Sequence, residues 1–176
     1  MDYKGYRAKI VICALLVTIA LLAGGNMLFD ATMVQRPLAA RLDECDQIRE
    51  YDTFARNGIT IIVVRVGDVR DWPLFYRALG DDIRQVMGER PFQLEIEDSR
   101  DEVLTAAYRR MHYALQEAAT NGSFVMMAEA VAHIGRQAQL DDHRLEVDND
   151  YIFLDLRHGE HRLYEVIRRR SERGDA

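Results

Sequence analysis

Residues Ile10 to Phe29 form an uncharged, largely apolar run of 20, behind a head that carries Lys4, Arg7 and Lys9. At about 1.5 Å per residue, a helix of that length spans about 30 Å, the thickness of a bilayer's hydrocarbon core. Thr18, Gly24, Gly25 and Asn26 interrupt the run; a helix satisfies its own backbone in lipid, so they are tolerated. Basic residues beside a span resist translocation, and the loop after Phe29 starts with Asp30 and shows its first cation at Arg36. The head, residues 1–9, is therefore expected in the cytoplasm, residues 10–29 in the cell membrane as a single-pass anchor, and the remainder outside the cytoplasm. A cleaved signal peptide is the competing reading, with Ile10 to Leu22 as its apolar core and the small residues Ala23 and Gly25 at the cleavage site. Met27, Leu28 and Phe29 carry the apolar run past that site, which favours a retained anchor.

The part beyond the run, about 145 residues, is enough for one domain with a core of its own. From Asp30 onward there are 20 Arg, no Lys and 28 acidic residues. So acidic a domain lacks the electrostatic footprint of a nucleic-acid binder. Its basic clusters are short: Arg109-Arg110, and a basic, disordered tail over 168–176 with Arg168, Arg169, Arg170 and Arg173. Cys13 lies within the apolar run and Cys45 beyond it, so no intrachain disulfide framework is expected.

Residues 30–58 read as a helical stalk. Pro37 suits a first turn and Asn57-Gly58 an end, while Leu38, Leu42, Cys45, Ile48 and Ala55 share one side of a 3.6-residue helix. That stripe is expected to pack on its own domain or, alternatively, to form a short homodimer seam in which Leu38 and Leu42 pack and Cys45 meets its symmetry mate.

Residues 59–167 read as an α+β domain, a mixed sheet with helices on one face. Ile59 to Val66 is β-branched and almost continuously apolar, as a strand buried on both faces would be. Asp71 caps a helix that accepts Pro73 early and ends at Gly88, and Phe92, Leu94 and Ile96 alternate with polar residues in a second strand. Strand, helix, strand makes a βαβ unit. Ser99 and Glu102 have capping-box spacing. Two helices broken at Asn121-Gly122 follow, as a hairpin against the sheet. The chain ends in a β-hairpin or meander, with His161 to Ile167 read as strand over helix.

No residue group amounts to an active site, so neither catalytic residues nor a cofactor is expected. The best metal candidates are His158 with His161, three apart in a turn near Asp155, and His143 beside Asp141 and Asp142. Neither CxxC nor HExxH spacing supports them. Cys45 has no neighbouring base, and Met111, Met126 and Met127 fit helical core packing better than a thioether site. Trp72 beside Pro73 suits either the core or an interface anchor. The layout of basic head, single span, stalk and small α+β domain resembles that of bitopic assembly components in bacterial secretion, division or sporulation machines, without a shared motif. It implies a non-enzymatic membrane protein whose outer domain binds other membrane-anchored proteins. An exported metal-binding or metal-dependent domain, or a small-ligand sensor with its pocket between helical hairpin and sheet, are the alternatives.

Overall fold

A computed structural model describes residues 36–170. The head, the apolar run and the first residues of the stalk lie outside the described residues, as do residues 171–176. No helix among the described residues is long and apolar enough to cross a membrane. These residues form a mixed α+β fold of four helices and two three-stranded sheets.

The stalk helix is much shorter than its spacing suggests. Helix α1 covers Arg36–Asp43, and strand β1 then covers Ile48–Arg56. The reason lies at Asn57-Gly58, which is a hairpin turn and not a helix end. Asn57 and Gly58 have φ of 53° and 78°. Two consecutive left-handed residues give the turn whose twist matches antiparallel strands. The turn joins β1 to β2 (Ile59–Val66) in antiparallel register, Arg56 opposite Ile59. Leu38 and Leu42 are both 2% exposed and join the core with Ile62, Val64 and Ile83. Their apolar surface is covered by the chain itself.

The βαβ unit is as expected. Helix α2 (Trp72–Met87) starts at Asp71, whose Oδ1 accepts the Leu74 N–H at 3.0 Å, and ends at Gly88, φ 60°. Strand β3 (Phe92–Glu97) returns parallel to β2. The first sheet has the order β1-β2-β3. Its inner face, Ile62, Val64 and Val66 with Leu94 and Ile96, packs against Leu79, Ile83 and Met87 of α2. The outer face is wet: Gln93, Glu95 and Glu97 are exposed, so β2 is lined by apolar neighbours mainly on one side.

Helices α3 (Glu102–Asn121) and α4 (Phe124–Gln137) pack together and onto a second, antiparallel sheet. Between them Gly122 adopts φ 79°. The second sheet is the meander β4 (Asp142–Val147), β5 (Tyr151–His158) and β6 (His161–Arg168), and His161–Arg168 is strand, as read. Ile152, Leu154 and Leu156 of β5 meet Leu104, Met111, Leu115 and Met127 of the helices. Phe153, from the other phase of the same strand, sits with α2. A strand's side chains alternate between faces, so β5 is covered on both, and the expected single mixed sheet with helices on one face is corrected to two small sheets and four helices.

Where α4 crosses β4 the approach depends on a glycine. A Cβ on Gly135 would stand 2.9 Å from Cγ of the His143 ring. Gly→Ala inside a helix ordinarily stabilises by about 0.5–1 kcal/mol. Here overpacking wins, and Gly135→Ala is expected to lower stability in urea denaturation by about 1–3 kcal/mol. Adding His143→Ala should recover much of that loss, a non-additivity marking direct contact.

Candidate functional site

The two sheets meet edge to edge without joining. β3 ends the first sheet and β6 the second, and among the described residues no backbone hydrogen bond links them. Between them lies a cleft of about 340 Å³, with Leu94 to Ile96 on one wall and Tyr164 to Val166 on the other. Trp72 and Tyr76 of α2 close one side, and Arg100 stands beside it. A further cavity of about 420 Å³ continues from it, sharing Tyr76 and Leu94 and reaching Phe92, Tyr151 and Arg168.

The aromatic floor follows from the start of α2. Asp71 and Pro73 set the helix beginning, which directs Trp72 inward, 2% exposed. Its ring lies 4.7 Å from that of Tyr164 and 5.6 Å from that of Tyr76. Such aromatic pairs add about 0.5–1.5 kcal/mol beyond burial. The indole N–H donates to the Glu165 carbonyl at 3.4 Å, and the Val69 N–H donates to the Tyr164 hydroxyl at 2.9 Å. The indole is thus covered by its own chain.

One end of the cleft is stitched shut by side chains. The Asp98 side chain is only 1% exposed. Its Oδ2 accepts the Tyr164 N–H at 2.8 Å, and its two oxygens take Nε and Nη2 of Arg100 at 2.8 and 2.7 Å. Next to it, Ser99 Oγ accepts the Arg162 N–H at 3.0 Å and the Ser99 carbonyl lies 2.8 Å from His161 Nδ1. Ser99 is therefore a clamp on β6 and not the helix cap. Asp101 caps α3, accepting the Leu104 N–H at 2.8 Å.

The predicted metal residues are placed apart in role. His158 Nδ1 lies 2.6 Å from Asp101 Oδ2, His161 faces Ser99, and His143 packs against Gly135. Asp141 accepts the Gly159 N–H at 2.6 Å, and Asp142 accepts the His143 N–H at 2.9 Å. The His158 and His161 contacts fasten the β5–β6 turn to the segment that starts α3, and Asp141 ties the same turn to the start of β4. Among the described residues no group of three or more His, Cys, Asp or Glu is placed to hold a metal. Asp101 is held below the usual carboxylate range, burial being outweighed by the Leu104 amide and His158. Cys45, partly exposed, lies 3.6 Å from the Arg41 carbonyl, and burial and the carboxylates of Asp82, Glu44 and Asp46 push its thiol up. A thiol so placed is a poor nucleophile. Met111 and Met127 are core residues, 0% and 1% exposed, whereas Met126 is 68% exposed.

On the side of the cleft away from α2, Glu165 meets Arg100 at 3.6 Å and lies beside Tyr108. Burial raises the Glu165 carboxyl, Arg100 opposing it, and burial with the Glu165 charge pushes Tyr108 up to about 12. Apolar side chains of the helical hairpin and the second sheet pack together, and open volume is present at the β3–β6 seam. Nothing in one-dimensional spacing marks Asp98, Ser99 and Glu165 as neighbours. Their meeting depends on a contact more than 60 residues apart in sequence.

Two outcomes test this description. Asp98→Ala strands the Tyr164 amide and the Arg100 guanidinium, and should cost about 1–3 kcal/mol in chemical denaturation. Glu165 has a raised folded pKa, so its favourable contribution is full below the unfolded value and fades as pH climbs through the folded one. The melting temperature of Glu165→Gln relative to the native chain should therefore rise as pH climbs above the ordinary carboxylate range.

No protein-family model, curated protein or solved structure matches this chain.

Proposed function

We propose that this chain is a non-enzymatic single-pass membrane protein whose extracytoplasmic domain mediates protein–protein assembly in a membrane-associated complex. The observation that carries the reading is the open seam, where two edge strands stand across a cleft with neither paired on that side among the described residues. Unpaired strand edges are templates for another chain unless covered. The 20-residue apolar run at 10–29 supplies the anchor, and the acidic balance beyond it argues against nucleic acid as the partner. Self-association would use a surface other than Leu38 and Leu42, which are buried. Cavities of about 340 and 420 Å³ also fall in the range of small-ligand sites, which favours ligand sensing as the second reading.

The test uses a C-terminally tagged full-length chain in cells stripped of their outer layers. The expected result is a full-length species in the membrane, digested from outside. A photo-crosslinker at Glu95 should capture protein partners, and one at exposed Gln116 on α3 should not. A soluble species lacking the apolar run, or strictly monomeric chains with no crosslinks, would overturn the proposal.

A further inference from the structure

We infer that the β3–β6 cleft receives one extended polypeptide strand of a partner protein, with basic residues at alternate positions; this rests on the assembly reading and names the kind of partner. Asp98 Oδ2 and Ser99 Oγ take the amides of Tyr164 and Arg162, standing where carbonyls of a neighbouring strand would stand. In an antiparallel ladder outward-facing amides recur every second residue, so Val166 and Arg168 are the next to face the cleft. No hydrogen bond from either outward amide to β3 is formed among the described residues. Leu94 to Ile96 present the facing edge. A strand laid there would be bonded on both sides, and two three-stranded sheets would become one.

Charge points to the same occupant. Along β3, Leu94 and Ile96 turn toward α2, and Glu95 turns to the opposite, exposed side. Along β6, Tyr164 joins the α2 cluster, and Glu165 lies on the other phase. The cleft thus has the half-buried Tyr76 on its floor, the exposed Glu95 at its open rim and Glu165, held by Arg100, facing it. Arg100, the cation beside them, is held by both oxygens of Asp98 and also meets Glu165 at 3.6 Å, so the charge offered to a partner is that of Glu95. In the adjoining cavity Arg77 pairs with Asp148 and Arg84 with Asp81, and Arg168 stands where the strand's terminal carboxylate would meet it. A strand of period 2 matches this pattern: basic side chains rise beside the exposed Glu95, and apolar ones settle on the half-buried Tyr76. Recognition by strand addition commonly combines backbone bonding with such alternate side-chain selection.

The probe is a fluorescent six-residue peptide alternating arginine and valine, with a free carboxylate, titrated against the full-length chain in uncharged micelles. Protein-free micelles and a glutamate–valine peptide serve as controls. Saturable binding of the basic peptide alone is expected, with hydrogen-exchange protection gained in 92–97 and 161–168. Glu95→Arg should weaken it by about fivefold, since an exposed charge is reversed, with an unchanged melting temperature. Equal binding of both peptides, no saturable binding, or protection elsewhere would overturn the strand proposal. Crosslinking from Glu95 that persists without peptide binding would leave assembly standing and strand capture refuted, so the two failures are separable.

Discussion

A nearly fully buried carboxylate governs how the two sheets sit. Asp98 ends β3, yet it accepts the main-chain amide of Tyr164 in β6 and clasps Arg100 ahead of α3. An ionised carboxylate is tolerated in such a place only when its lone pairs are filled, and here an amide and a guanidinium fill them. Because a side chain makes this link, sheet pairing stops there. The edges of β3 and β6 then part company, and the cleft begins where that link ends.

Apolar packing on α2 supplies the rest of the coupling. One face of this helix covers β2 and β3, and the same cluster takes in Phe153 and Tyr164 of the second sheet. Trp72 stands at the junction, in tilted ring contact with Tyr164 and bonded to the Glu165 carbonyl. Fully burying such side chains stabilises by about 1.5–3 kcal/mol each, so the sheets are held by shared hydrophobic area without a shared ladder. On the other side, α3 and α4 close the second sheet's opposite face, leaving β5 buried on both.

Local signals with one physical meaning were legible. Asp71, Pro73 and Gly88 bound α2 as their capping chemistry requires, and the alternation in Phe92 to Glu97 gives one wet face. Signals with two meanings misled. Asn-Gly can end a helix or turn a hairpin, and the strand partner of Ile48–Arg56 decided between them. Ser99 and Asp101 both precede α3 within capping reach, but the approach of β6 took Ser99 away. His143, His158 and His161 lie near one another in sequence, yet each serves a different packing contact.

The sequence by itself determined the apolar run, the acidic surface balance and most element types, because these depend on composition and on periods of 2 and 3.6 residues. Only the tertiary structure decided that the strands divide into two sheets, that Trp72 is interior, and that Glu95 and Glu165 flank one cleft. Those facts depend on contacts between residues far apart in the chain, and no local period encodes which edges will pair and which will be left open.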